Sequence, residues 1–358
     1  MGTHCNEISR GFAFAPFDLT YRYRGLEPIV VDLPISQLRL LLQKQQNCYE
    51  KCSALTQLLS LFTSLKNSWK NDKVIETELY NWMTTNRFEP EMIFRIVYNE
   101  RNHVKFASLL AFFYMRGIGT NVNAEEAFHF SYFAASKGDL IGQNDVACCY
   151  QFGTGTIKNE RKAFYWFRKC AKEGNVAGIF NLGSCYYHGI GTTERHDKAF
   201  DCFLKAAEAG FGAAQGCVGF CYRHGKGTKP DLKTALYWYE QASNSGNAQA
   251  QLKLAYCYQQ GIGLKKRRRI CRKTIYKVGE KYGLGIKKND VTGFYWHLQS
   301  AKCGNARGQN NVARSYKSGQ GTVRDVHEAI RYYRQAISQG GNSHVYSELK
   351  SLLLNEWW

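Results

Sequence analysis

Catalytic signatures are missing from this chain. No Gly-x-Gly-x-x-Gly occurs, no P-loop lysine follows a glycine-rich turn, and there is no Gly-x-Ser-x-Gly. Lone carboxylates such as Glu173 and Glu208 fall next to turns and read as solvated. We therefore expect no enzyme and no cofactor. No apolar run reaches the ~18 residues of a membrane span. No stretch alternates with period two for long enough to argue for a sheet. Acidic residues are also short, with 29 Asp and Glu against 48 Lys and Arg, a net charge of +19. The start, Met1-Gly2-Thr3-His4-Cys5-Asn6, lacks a signal-peptide core and the Ser or Thr that myristoylation favours at position 6. The cytosol is the expected location, with the nucleus as the alternative.

What the chain has is a beat. Gly117 and Gly119, Gly153 and Gly155, Gly189 and Gly191, Gly225 and Gly227, Gly261 and Gly263 recur every 36 residues. Tyr114, Tyr150, Tyr186, Tyr222 and Tyr258 stand three residues before each pair. Ala127, Ala163, Ala199 and Ala235 mark a further row, and Gly138, Gly174, Gly210 and Gly246 close an Ala-x-x-Gly motif. A fixed period of this size is the signature of a solenoid, which offers an extended surface rather than one catalytic pocket.

The step breaks once. Tyr316, Gly293 and Gly304 follow Tyr258, Ala235 and Gly246 by 58 residues, one period plus 22. Gly283 to Gly319 is 36 again. An insertion of 22 residues, Leu264 to Gly285, therefore lies between two near-copies of one loop, and the repeat reads through cleanly without it.

Each repeat resolves into two helices. Asn175 to His188 carries Leu182, Cys185 and Tyr186 at helical spacing and stops at Gly189. Arg195 to Glu208 carries Ala199, Phe203 and Ala207 and stops at Gly210. Glycine just past the last periodic residue ends a helix because it accepts a left-handed backbone. The glycine pair is expected to make the turn inside a repeat, and Ala-x-x-Gly the turn between repeats. Gly183, Gly219 and Ala255, three before the tyrosine, would let neighbouring helices approach closely.

The pattern Leu182-Gly183-x-x-Tyr186-x-x-Gly189-x-Gly191, then Lys198-Ala199-Phe200 and Ala206-Ala207-x-x-Gly210, resembles the Sel-one-like repeat, a cousin of the tetratricopeptide repeat. The match runs from about 104 to 342. The last full copy departs from it with Ser315 before its tyrosine, and Gly293 stands in for the usual alanine. The resemblance implies an all-α, right-handed α/α superhelical solenoid of about six repeats. It also implies an adaptor or scaffold role in signalling, stress responses or protein quality control.

Flanking segments complete the expected plan. Residues 1–33 read as an extended arm and 34–103 as a helical N-terminal cap, with a long or broken helix over Gln37 to Lys66 and shorter ones at Val74 to Trp82 and Glu89 to Tyr98. Residues 104–342 form the array, and 343–358 a C-terminal capping helix. Such covers close the open ends of a stack.

Of the 13 cysteines, Cys149, Cys185, Cys221 and Cys257 share one repeat position on the stripe that holds Leu182 and Tyr186. They should point inward and behave as small hydrophobes. Stacked helices sit ~8–10 Å apart, too far for disulfides between them. Cys185 with His188 and Cys221 with His224 would offer zinc two sulfurs and two nitrogens. Each histidine lies on a different side from its cysteine, however, so no metal site is expected. His188 and His224 read instead as polar residues favoured at a helix C-terminus.

Charge gathers in the insertion. Lys265, Lys266, Arg267, Arg268, Arg269, Arg272 and Lys273 head a stretch of nine cations and one acid, +8 in all. It reads as a solvated loop, a nuclear-import signal or a patch for acidic partners. Nucleic acid is disfavoured because no aromatic platforms accompany the remaining charge at loop positions.

The expected function is to hold peptides or protein surfaces on the concave face, which in tetratricopeptide-like arrays the first helix of each pair lines. The non-core positions there, two and five before the tyrosine and two after it, give Asn181, Ser184, His188, Phe220, His224, Lys253, Tyr256 and Gln260. Phe220 and Tyr256 are the expected exposed anchors. The tyrosine row is expected to be core, with Tyr186→Ala costing ~3–5 kcal/mol if the ring is buried. The alternative function is a basic nuclear or nucleic-acid-associated factor that uses the insertion.

Overall fold

The computed structural model describes residues 53–68, 71–261, 288–340 and 343–355. The chain divides into compact units at 1–56 and 57–358, and every helix from Asp72 onward belongs to the second. The described residues contain 16 helices and no strand. A helix over 53–67 (α1) is followed by α2 (Asp72–Thr85) and α3 (Pro90–Asn99). Six pairs come next: α4 (Val104–Arg116) with α5 (Ala124–Ser136), α6 (Leu140–Phe152) with α7 (Glu160–Lys172), and α8 (Val176–His188) with α9 (His196–Glu208). Then α10 (Gly212–His224) pairs with α11 (Leu232–Asn244), α12 (Ala248–Gln260) with α13 (Asp290–Lys302), and α14 (Ala306–Ser318) with α15 (Val326–Ser338). α16 (Ser343–Asn355) comes last. From α4 onward each helix packs on the next, the packing of a solenoid.

Local chemistry fixes the helix ends. An Asn or Asp stands just before most of these helices and accepts the backbone N–H three residues on. Asn175 Oδ1 accepts from Gly178 at 2.8 Å, Asp139 Oδ2 from Gly142 at 2.7 Å and Asn159 Oδ1 from Lys162 at 3.0 Å. At the other end of each first helix, Gly117, Gly153, Gly189, Gly225, Gly261 and Gly319 adopt φ of 60–75°.

The second glycine of each pair does more than turn the chain. A Cβ on Gly191 would lie 2.0 Å from the carbonyl oxygen of Glu160, the first residue of the preceding repeat's second helix. Gly155 meets Ala124, Gly227 meets His196 and Gly321 meets Asp290 in the same way, at 1.9–2.1 Å. The expectation that the pair serves only the turn within a repeat is therefore incomplete, because its second member also seats one repeat against the previous one.

Buried side chains come from both helices. The cysteine row is inward, with Cys149, Cys185, Cys221 and Cys257 all buried and unbonded. Burial pushes the Cys185 thiol up to about 12. The tyrosine row is less deep than expected. Tyr150 is buried, but Tyr114, Tyr186, Tyr222, Tyr258 and Tyr316 are half-buried. Each ring but that of Tyr258 meets a phenylalanine of the helix before its own edge-on, as Tyr186 meets Phe164 at 5.4 Å. The deepest aromatic row lies on the second helices: Phe167, Phe203, Tyr239 and Tyr333, all at or below 3% exposure.

In this row His297 replaces the aromatic residue, at 1% exposure. Its Nε2 lies 3.1 Å from Gln259 Oε1, and Asn311 Nδ2 lies 3.4 Å from its Nδ1. The arrangement suits a neutral ring that donates from Nε2. Gln259 fits because Gly293 makes room, since a Cβ there would lie 2.4 Å from Gln259 Cγ. Burial, aided by Arg314, lowers the His297 pKa to about 4. The unfolded chain titrates near 6.5, so between the two values it takes up a proton that the folded chain refuses. Stability is expected to be constant above about pH 7 and to fall by up to about 3 kcal/mol from this group between pH 6.5 and 4. Urea titrations of wild type and His297→Phe across this range check it: the variant's profile should be flatter by that amount, and parallel profiles would refute it.

The insertion leaves a clear mark on the described residues that flank it. In other repeats the first glycine sits beside the residue five further on, as Gly153 does with Lys158 and Gly319 with Arg324. Gly261 sits beside Lys288, where a Cβ would lie 3.0 Å from the backbone nitrogen. Likewise Asn289 N donates to Tyr258 O at 2.9 Å, the bond that Asn159 makes to Tyr150 and Arg195 to Tyr186. The partners are displaced by the same 22 residues, so the ordinary turn is closed around the insertion. Deleting Leu264 to Gly285 should therefore leave the melting curve cooperative and its midpoint within a few degrees of wild type. A chain that fails to fold would mean the insertion is integral to the array.

Candidate functional site

The first helices of successive pairs line up on one side, with α4 touching α6 and α12 touching α14. Side chains continue the row: Asn181 Nδ2 on α8 donates to Asn144 Oδ1 on α6 at 2.9 Å, and the Tyr187 ring on α8 meets Phe220 on α10 edge-on at 6.4 Å.

In the first two repeats this side is covered by the chain itself. Phe112, two before its tyrosine, packs on Phe62 of α1 at 5.5 Å, and Lys66 Nζ lies 5.0 Å from the same ring. Lys66 also lies 3.7 Å from Asp145, five before its tyrosine, and 3.5 Å from Asp72. Arg116, two after its tyrosine, pairs with Glu76 of α2 at 2.5 Å. The repeat positions singled out in the sequence are thus occupied here by α1 and α2.

From α8 to α12 the same side forms a groove of about 420 Å³. Phe180 and Tyr187 of α8, Cys217 and Phe220 of α10, and Phe203 and Tyr239 of the second helices give it an apolar lining, with Lys253 contributed by α12. Two glycines shape it. Gly183 lets α9 come close, since a Cβ there would lie 2.9 Å from the Phe203 ring. Gly216 leaves the opening, because a Cβ there would meet only Asn247 Nδ2, at 3.8 Å.

Four of the eight expected residues line this groove: Ser184, His188, Phe220 and Lys253. The others do not. Asn181 is turned to Asn144, the exposed Tyr256 and Gln260 lie outside, and the His224 ring packs at a tilt on Phe220, 4.4 Å between centroids. Phe220 is half-buried rather than exposed, and Tyr256, 42% exposed, is the freer ring. His224 also departs from the favoured-cation reading: burial, then Arg223, Lys253 and Lys226, lowers its pKa. His188 is exposed while Cys185 is buried, as the sequence required. The basic residues Lys265 to Lys273 lie outside the described residues.

Chemically the groove is mostly apolar, with Lys253 among its lining residues. Burial raises Cys217 to about 11 and Cys221 to about 12, so neither thiol is a ready nucleophile. No residue lining the groove is acidic. Sequence reasoning missed Phe180, Tyr187 and Gly216. The first two lie six before and one after the tyrosine, and Gly216 acts by having no side chain.

The family model for the Sel1 repeat matches residues 105–139, 140–175, 176–211, 214–247, 248–269, 273–305 and 306–341. The chain belongs to the Sel1 repeat family. The seven matched segments correspond to six helix pairs, since 248–269 and 273–305 are the two parts of the interrupted α12–α13 pair. Among solved structures, a Sel1 repeat protein from Oxalobacter formigenes is similar at 25% identity, over 75% of this chain and 97% of that one, with a TM-score of 0.58. A protective antigen present in uropathogenic Escherichia coli strains, displaying an SLR fold, shares the fold at 20% identity, over 90% and 68%, with a TM-score of 0.53. No curated protein matches the chain. Sel1 repeat proteins are generally protein-interaction scaffolds. Among the described residues, no helix is long and apolar enough to cross a membrane.

Proposed function

We propose that this Sel1 repeat protein is a non-enzymatic adaptor that docks a partner protein or peptide along its first helices, in the groove of α8, α10 and α12. Signalling or protein quality control in the cytosol is the setting such adaptors serve. The observation that carries the reading is the groove itself. Three successive repeats contribute first-helix residues to one apolar groove, on the side that α1 and α2 cover in the first two repeats. Aromatic walls with polar neighbours suit an anchor side chain.

Two rival surfaces exist. Exposed tyrosines lie on the second helices at Tyr165, Tyr237 and Tyr295, but Asp201 holds the matching position in α9 and interrupts the row. The basic insertion is the other, and it carries the nuclear or nucleic-acid alternative. Site-specific photocrosslinking separates them. Adducts are expected from crosslinkers at positions 220 and 253, few from 165 and 237, and no change when residues 264–285 are deleted. Adducts confined to the second helices, or lost with the insertion, would refute the reading.

A further inference from the structure

The first helices beyond α6 contain no carboxylate. α8, α10, α12 and α14 hold no Asp or Glu, yet they carry Arg223, Lys253, Arg307, Arg314 and Lys317. The acids lie on the second helices, for example Glu160, Asp197, Glu240 and Glu328. Asp145 of α6 already has Lys66 beside it. No carboxylate of the described residues lies within ion-pairing distance of Arg223, Lys253 or Arg307. The charges of Arg223 and Arg307 act on Lys253 instead. Partial burial, then Arg223 and Arg307, holds Lys253 below the ordinary lysine range. Like charges gathered without counter-ions beside an apolar groove are poised to gain from an anionic ligand.

We propose that the groove takes an acidic segment of a partner protein carrying one bulky apolar anchor. This rests on the adaptor reading above and adds the chemistry of the partner. The anchor enters between Phe180, Tyr187 and Phe220, where Gly216 leaves room, and the partner's carboxylates face Lys253, Arg307 and Arg223. Continuity with the covered part of the same side supports a protein occupant. There Phe62 of α1 supplies an aromatic anchor to Phe112, and the charge on the array, Asp145, is met by the opposite charge of Lys66. Where the array turns basic, the same complementarity calls for acid. A nucleic acid would leave the apolar floor unused, because phosphates need cations and not phenyl edges.

A random peptide library displayed on phage and selected against the full chain tests this. Two variants keep the fold under control. Gly216→Leu fills the groove at a roomy helical site, so its melting temperature should stay level or rise. Lys253→Glu with Arg307→Glu inverts charge at two exposed positions. Selected peptides should pair Asp or Glu with Phe, Leu or Trp. Their affinity should fall by about tenfold or more on exchange of Asp and Glu for Asn and Gln, and similarly in the charge-inverted variant. It should weaken at ~0.5 M salt and vanish in Gly216→Leu. Peptides without acidic bias that still fail to bind Gly216→Leu would overturn the acidic partner and leave the groove standing. No enrichment, or binding indifferent to Gly216→Leu, would overturn both. A labelled oligothymidylate that binds wild type and not Gly216→Leu would overturn the proposal in favour of nucleic acid.

Discussion

Gly191→Ala is expected to destabilise the protein by about 2–5 kcal/mol, and Gly174→Ala by only about 1–2. Both glycines have positive φ, 65° and 86°. For an L-residue that conformation costs about 1–2 kcal/mol. At Gly174 nothing lies within 4 Å of an added Cβ, so backbone strain is the whole cost. At Gly191 the Cβ would lie 2.0 Å from the Glu160 carbonyl oxygen. Two backbones must then separate, which adds overpacking of about 1–3 kcal/mol. Gly189 falls between, because its nearest neighbour would be Thr192 O at 3.4 Å. Urea denaturation of the three variants gives the ranking. Equal losses at 191 and 174 would mean that the second glycine does not seat neighbouring repeats.

Phe167→Ala should cost about 3–5 kcal/mol, the range for a fully buried aromatic ring. Phe167 has no exposed surface and packs among Ala135, Val146, Ala147, Leu182 and Cys185. Three neighbouring helices, α5, α6 and α8, therefore lose contacts together. Because each repeat is held by its neighbours, the loss should spread to the adjoining pairs. Tyr186→Ala should cost less, about 1–3 kcal/mol, since the ring is only half-buried, meets Phe164 edge-on at 5.4 Å and has Lys198 Nζ 5.5 Å from its centroid. A larger loss at Tyr186 than at Phe167 would show that the unvarying period, and not depth, marks the core.

The tyrosine row was the legible one because its residue type never changes. The deeper row is harder to see. It runs Ser131, Phe167, Phe203, Tyr239, His297, Tyr333, so its position is fixed while its chemistry varies. His297 departs because Gln259 and Asn311 satisfy its nitrogens, an exchange that no single-sequence pattern announces. Helix number, pairing and the closure of the insertion followed from the glycines, since left-handed turns admit few other residues. The Asn caps follow the period less strictly: Asn175, Asn247 and Asn305 lie 72 and 58 residues apart, two periods and one period plus 22, with Phe211 at the position between the first two.

The site was half legible. Counting from the tyrosine found Ser184, His188, Phe220 and Lys253, because helix geometry repeats faithfully from pair to pair. It missed the groove as a shape. The cavity depends on Gly216, where α8 has Phe180 and α12 has Leu252 at the matching position. The separation of acids onto the second helices was also present in the sequence, but it acquires meaning only once the helices are assigned to sides.

Hydrogen exchange of the full chain, free and saturated with a peptide selected on it, tests the docking surface most directly. Slower exchange is predicted in residues 176–188, 212–224 and 248–260, with 160–172 and 232–244 unchanged. Protection confined to 160–172 and 232–244, or to 264–285, would contradict docking along the first helices.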